Sequence, residues 1–360
     1  MIDQYFLVLT TIDLFVLTFM CILTKLSETL NGKQKRGFFL AFALIGVISI
    51  LEVITILVDG APVHLRCLNI LSPAVSLCLV YVLDKKQGVR RGFKTAVACE
   101  AAYLISLALM LPGGMVFSVS EENLYSRGDF FAFYVTAYFA ALVYLAACTA
   151  ITARAFQNRS RVLIYPFIVF LAAATIIQIA LPQLHVTWLC VTLLSVLYFI
   201  YCSEMWNQLD ALTGLLNQNS YLNRTAEMRR SGEVLVVFDV DDFKQVNDRY
   251  GHVKGDICLA EIAACIKKAY ARHGYCYRTG GDEFCVLLRD GDREHACARD
   301  FVRRLDERRK ELDFLPTVSF GSAEISSENV VTVKDRADHN MYRYKKERKA
   351  HRMSGDAGEE

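Results

Sequence analysis

Tyr277-Arg278-Thr279-Gly280-Gly281-Asp282-Glu283-Phe284 sets two adjacent carboxylates at a glycine turn between runs with the composition of β-strands. Tyr275 to Thr279 and Phe284 to Leu288 are aromatic and aliphatic, and a glycine turn between such runs predicts a β-hairpin. Glycines at the tip let a ligand approach the backbone, because no Cβ intervenes and positive φ costs little. Asp282 and Glu283 then project toward opposite strand faces or toward one shared ion. Mg²⁺ takes hard oxygen ligands, usually one or two protein carboxylates with water and substrate phosphates completing the shell. Taken alone, such a tetrapeptide is more often an exposed hairpin with solvated acids.

A second acidic cluster shifts that balance. Leu235 to Phe238 is an apolar, β-branched-rich run that ends in Asp239-Val240-Asp241-Asp242, before the helix-like Phe243-Lys244-Gln245-Val246-Asn247. Carboxylates at the end of a buried strand are costly unless cations neutralise them. One such cluster is commonly a helix N-cap. Two of them, each at a strand tip, suggest a shared metal site, with Lys244 available to phosphate oxygens and Asn247 and Asp256 to a base edge.

These residues resemble the diguanylate cyclases, the family named after the GGDEF tetrad. The resemblance runs from about Asp210 to Lys349. Asp210-Ala-Leu-Thr-Gly-Leu-Leu-Asn217 resembles the opening motif of the family domain. Asp239-Val-Asp-Asp-Phe-Lys-Gln-Val-Asn-Asp-Arg-Tyr-Gly-His252, followed by Gly255-Asp256, resembles the nucleotide-binding segment. Ser319-Phe-Gly-Ser-Ala323 resembles the late strand, and Ala337-Asp338, Met341-Tyr342 and Lys345 the final helix. With the tetrad, the motifs follow in family order.

The resemblance implies a palm-like antiparallel sheet flanked by helices and condensation of two GTP into cyclic di-GMP with release of pyrophosphate. Asp239 and Asp282 would bind metal through their carboxylates and Val240 through its backbone carbonyl. Glu283 would assist metal binding or deprotonate the attacking hydroxyl. Asn247 and Asp256 would hold guanine, Lys244, Lys345 and Lys349 the triphosphate, and Gly280 and Gly281 would let it pass close to the chain. Two Mg²⁺ per GTP site are implied, with Mn²⁺ as a substitute. Each domain of this family holds one GTP, so the resemblance implies a homodimer through the GGDEF domains. The alternative is a catalytically silent domain that binds GTP as a signalling module. Silent members usually lose tetrad or metal-ligand residues, and this chain keeps them.

Departures from the family pattern accompany the matches. Gln218 stands where Arg is frequent, Thr279 where an apolar or aromatic residue is usual, and Arg348-Lys349 where Gly-Arg is usual. Lys keeps the charge at the last position but loses the bidentate fork of Arg. Before the tetrad the chain reads Ala271-Arg272-His273-Gly274 rather than the Arg-x-x-Asp of a product-inhibition site, so feedback through that site is not expected.

The chain is larger than this domain. Its 360 residues are 54% hydrophobic, too apolar for two ordinary soluble domains. Residues 1–203 hold 14 Lys and Arg and 10 Asp and Glu, against 26 and 28 in the remainder. The near-neutral C-terminal part offers no basic surface for a nucleic-acid polymer.

Apolar runs long enough to span a bilayer recur at about Tyr5 to Thr24, Gly37 to Val58, Val63 to Leu83, Thr95 to Leu111, Phe130 to Ala150, Val162 to Leu181 and His185 to Cys202. They predict a bundle of about seven transmembrane α-helices over 1–203, a cytoplasmic GGDEF domain over 204–352 and a flexible tail over 353–360. Met1-Ile2-Asp3-Gln4 lacks the positive start of a signal peptide. Lys25, Lys33, Lys35 and Arg36, then Lys85, Lys86, Arg90, Arg91 and Lys94, then Arg154, Arg159 and Arg161 fall in alternate loops. Positive loops stay cytoplasmic. The N-terminus is then outside and the C-terminal domain inside a bacterial-type inner membrane, where GTP is available.

Asp13, Glu52 and Glu100 fall at or near membrane depth, where acids by default mark function. The outer loop from Pro112 to Asp129 is too short for a separate sensory domain, so an unknown stimulus is expected to act within or beside the lipid-embedded helices. A transporter with a regulatory tail fits less well, because the halves show no paired Gly/Pro-broken helices. Cysteine and histidine spacing suggests neither zinc nor disulfides.

Overall fold

In the computed structural model of the chain, the described residues are 2–57, 72–83, 89–110, 115–119, 125–155, 187–226, 232–325 and 330–356, with isolated positions between 157 and 180. The chain divides into two compact units, Met1–Asn207 and Gln208–Glu360.

The first unit is helical. It contains α1 (Ile2–Leu26), α2 (Gly32–Leu57), α3 (Ser72–Val82), α4 (Val89–Met110), α5 (Phe131–Ala155) and α6 (Thr187–Asn207). A capping box starts α2 before the apolar run does. Asn31 Oδ1 accepts from the backbone of Lys33 and Gln34, and Gln34 Oε1 accepts from Asn31 N. Among the described residues, four helical segments are long and apolar enough to cross a bilayer: Phe6–Leu26, Gly32–Ile54, Phe131–Arg154 and Trp188–Asn207. α3 and α4 cover parts of two further expected spans, while most of Val162 to Leu181 lies outside the described residues. The expected outer loop contains a short hairpin, β1 (Phe117–Val119) against β2 (Tyr125–Arg127).

Close helix contacts explain the packing. A Cβ on Gly37 would lie 2.6 Å from Val82 Cγ2, so this glycine sets the approach of α2 to α3. Phe38 and Phe199 meet edge to face at 5.0 Å between α2 and α6.

The second unit is an antiparallel sheet of order β4-β5-β3-β6 with helices on both faces. Its elements are α7 (Gln218–Ala226), β3 (Glu233–Val240), α8 (Phe243–Tyr250), α9 (His252–Tyr270), β4 (Gly274–Arg278), β5 (Glu283–Leu288), α10 (Glu294–Glu311), β6 (Val318–Ile325) and α11 (Val330–Asp356). Strand periodicity sorts β3 between two cores. Val234, Val236, Phe238 and Val240 pack with α9 and α10, while Leu235 and Val237 pack with Val333 and Ala337 of α11. Leu259, Ile262, Ala263, Ile266 and Tyr270 form an apolar stripe at helical spacing along α9, and it is buried. Burial of each large side chain there contributes about 1.5–3 kcal/mol.

α11 runs from Val330 to Asp356. Gly280 and Gly281 are not among the described glycines with positive φ. Backbone strain therefore does not explain them. A Cβ on Gly280 would meet Glu283 Oε2 at 3.2 Å, whereas one on Gly281 would meet open space.

Candidate functional site

Asp239 occupies an odd position of β3, so its side chain shares the α11 face with Leu235 and Val237. In register it stands directly opposite Glu283 of β5 and Ser319 of β6. Val240 N donates to Asp282 O at 3.3 Å, bringing the backbones of both acidic segments together. Asp239 and Asp282 thus come from neighbouring strand ends. Sheet register is the physical cause of their convergence.

Lys345 reaches this point from α11. Its Nζ lies 2.5 Å from Asp239 Oδ2 and 3.6 Å from Asp241 Oδ1. Burial alone would lower the Lys345 pKa, but the two carboxylates outweigh it and hold the ammonium above its ordinary value. Asp241 is buried and accepts from Thr317 Oγ1 at 2.6 Å and Ser319 Oγ at 2.7 Å. Asp338 joins the same region. Burial raises its carboxyl above the usual range against the pull of Lys334, and Glu283 and Asp239 add to the rise.

The donor chemistry fits a hard cation. Asp239, Asp282 and Glu283 offer carboxylate oxygens, and the Lys345 ammonium already answers the negative charge of Asp239. No group of three His, Cys, Asp or Glu with metal-holding geometry occurs among the described residues. An ion held there would depend on water and phosphate oxygens for much of its coordination. That is the ordinary arrangement for Mg²⁺.

The opening motif braces the turn. Asp210 accepts from Thr213 N and Oγ1 and from Arg278 Nη1 at 3.1 Å. Arg278 Nη2 in turn donates to Gly281 O at 2.7 Å. Leu216 N donates to Cys276 O and Arg278 N to Leu216 O, which binds the motif to the edge of β4. The ion pair of this motif therefore lies with Arg278, while Gln218 is exposed at the start of α7. Sequence reasoning assigned no role to Arg278 or Asp241. The available signal was, in each case, a charged side chain at the C-terminal end of a strand run.

Burial raises the Asp210 carboxyl, but its bonds to Thr213 and Arg278 prevail and leave it below the usual range. Its stabilisation is fully present above the ordinary carboxylate pKa of about 4 and is lost as pH falls through the lower folded value. Arg278→Leu is expected to cost about 1 kcal/mol at pH 7. In denaturant titrations the difference from wild type should shrink below about pH 3–4, and a constant difference would contradict the account.

The remaining expected residues lie on α8, α9 and α11. Asp242 precedes α8 with φ 52° and makes no side-chain capping bond, so the acidic cluster is not a conventional N-cap. Gly251, with φ 81°, turns the chain between α8 and α9. A Cβ on Gly255 would lie 2.0 Å from Asn247 Oδ1, so the Asn247 amide lies over Gly255, next to Asp256. Lys244 is exposed on α8. Lys349 lies on α11, but its side chain and that of Arg348 fall outside the described residues.

Fold and site together define an α+β domain with an acidic strand-end cluster. The family described as "Diguanylate cyclase, GGDEF domain" matches residues 207–351. This segment, less than half of the chain, is a GGDEF domain. Diguanylate cyclase DgcS of Shewanella oneidensis is 41% identical over 91 residues, covering 24% of this chain and 31% of that protein. Probable diguanylate cyclase DgcT of Escherichia coli is 32% identical over 150 residues, covering 38% and 33%. An uncharacterized signaling protein of Caulobacter vibrioides is 41% identical over 104 residues, covering 27% and 13%. The chain thus spans a third or less of the length of these relatives. The solved coiled coil and GGDEF domain of DgcB from Caulobacter crescentus, in complex with c-di-GMP, is 26% identical, with TM-score 0.39 over 44% of this chain and 92% of that one.

Proposed function

We propose that the protein is a diguanylate cyclase regulated by its helical membrane region. The observation that supports this reading is the register of Asp239 against Glu283, with Asp282 at the adjoining backbone and Lys345 on the same carboxylate. Two GTP give one cyclic di-GMP and two pyrophosphates. In each half-reaction a 3′-hydroxyl attacks the α-phosphate of the facing nucleotide, and an O–P bond forms as the bond to pyrophosphate breaks.

Asp239, Asp282, Glu283 and the Val240 carbonyl are the proposed holders of Mg²⁺. Such an ion lowers the pKa of a bound hydroxyl and neutralises phosphate charge. Glu283 either assists in binding it or accepts the hydroxyl proton. Asn247 and Asp256 hold the guanine edge; Lys244, Lys345 and Lys349 meet the triphosphate beside Gly280 and Gly281. Two domains must face each other for both attacks to proceed, so the active form is a dimer. The seven-span arrangement, an N-terminus outside and a cytoplasmic GGDEF domain at a bacterial inner membrane belong to the same proposal.

Incubating the full chain with GTP and Mg²⁺ tests it. Cyclic di-GMP and pyrophosphate in a 1:2 ratio are expected. Nucleotide binding without product would favour the silent, GTP-binding reading.

Gly255→Ala offers a separate check on the base site. The added methyl meets the end of the Asn247 side chain, which can swing away, and more loosely the Phe243 ring at 3.3 Å. Stability should therefore change little, while KM for GTP rises about tenfold from loss of an oriented hydrogen bond. Unchanged KM would remove Asn247 from the proposed base contact.

A further inference from the structure

Three mutually packed helices of the first unit, α1, α2 and α6, each bury a polar side chain. Asp13 on α1 is 2% exposed, while Ser49 on α2 and Thr192 on α6 are each 1% exposed. Glu52 lies one turn beyond Ser49 on the same face of α2. Asp13 lies beside Thr192 and interacts electrostatically with Glu52, which is engaged by Trp188. Among the described residues, Asp13 Oδ1, Ser49 Oγ and Thr192 Oγ1 have no hydrogen-bond partner.

Those hydroxyls depart from the habit of this bundle. Thr24, Thr152 and Ser195 are also buried, and each donates to the carbonyl four residues back. That back-bond is the usual way an apolar helix satisfies a hydroxyl. Ser195 makes it and Thr192, one turn earlier in the same helix, does not. Ser49 and Thr192 therefore keep uncommitted oxygen lone pairs, Thr192 beside the Asp13 carboxylate, whose Oδ1 has no donor among the described residues.

Charge points the same way. A buried carboxylate that stays ionised needs a compensating cation. Lys25, Lys33, Lys35 and Arg36 lie around the opposite ends of α1 and α2, near their connection, and α6 carries no Lys or Arg. We infer that Asp13, Ser49 and Thr192 form an oxygen-lined site for a small monovalent metal cation of the sodium type, with Glu52 at its edge. Carboxylate and hydroxyl oxygens are hard donors. A single carboxylate at the centre is too little to replace the hydration of a divalent ion, and no three-membered His, Cys, Asp or Glu metal group occurs among the described residues.

Trp188 supplies a local reporter, and the chain has one other tryptophan, Trp206. The test uses the full chain in lipid nanodiscs with Trp206→Phe, so that emission reports on Trp188. NaCl is titrated against choline chloride at constant ionic strength, with MgCl₂ as a separate arm. The expected result is a saturable emission change with Na⁺ that choline does not produce. Asp13→Asn and Ser49→Ala should each raise the half-saturating concentration about tenfold. Should Asp13→Asn fail to give a monodisperse protein, Ser49→Ala, which removes a single oxygen, carries the comparison. Emission indifferent to Na⁺, a response to Mg²⁺ alone, or unchanged Na⁺ affinity in Ser49→Ala overturns the site. The readout is binding, so it stands apart from whether the second unit makes cyclic di-GMP.

Discussion

Asp239→Asn and Asp282→Asn should each slow cyclic di-GMP formation by about 10³-fold or more while leaving the protein folded. The exchange is isosteric and removes one negative charge from the position where the proposed cation and the phosphates must meet. Losing such a ligand raises the barrier by roughly 4 kcal/mol, and each 1.4 kcal/mol is tenfold in rate. The cost to stability is far smaller. The Asp239–Lys345 pair is only partly buried, at 24% and 26% side-chain exposure, so its loss costs about 1 kcal/mol. Product formation and the thermal midpoint should be followed in parallel for both variants. Activity within tenfold of wild type, in a folded protein, would show that this acidic pair is not the metal site.

Gly321→Ala should have the largest effect on stability. A Cβ there would lie 2.2 Å from Met341 N and 2.5 Å from Ala337 O, both backbone atoms of α11. Neither can rotate away as the Asn247 amide can at Gly255. The helix must lift from β6, opening the contact of fully buried Val333 and Ala337 with the sheet. Overpacking of this kind costs about 3 kcal/mol, or a fall of roughly 10 °C in midpoint for a domain of this size. Activity should fall as well, because α11 carries Lys345 to Asp239. Thermal melts of the full chain check the first effect; a shift of less than about 3 °C would mean that α11 is loosely seated.

The contrast between those two glycines shows what the sequence could and could not convey. Both stand in motifs legible along the chain, yet neither string says whether a neighbouring side chain or a neighbouring backbone fills the missing Cβ. The two strand runs, the α9 stripe and the acidic turn were readable because periodicity and turn chemistry are local properties. α2 begins at Gly32 rather than near Gly37 because a capping box, not hydropathy, sets its start. Arg278 was invisible as a brace, since its partners are Asp210, 68 positions earlier, and the carbonyl of Gly281.

Sequence alone determined the α+β pattern of the C-terminal unit, the apolar character of the N-terminal helices and the identity of the acidic segments. Each follows from residue type and spacing over a few turns or one strand. Tertiary structure decided which carboxylates meet. The β3–β5 register sets Asp239 against Glu283, the face alternation of β3 turns it toward α11, and only there does Lys345 reach it. Likewise, Asp13, Ser49 and Thr192 are unrelated positions until three helices pack, because burial and the loss of hydrogen-bond partners are properties of the assembled bundle.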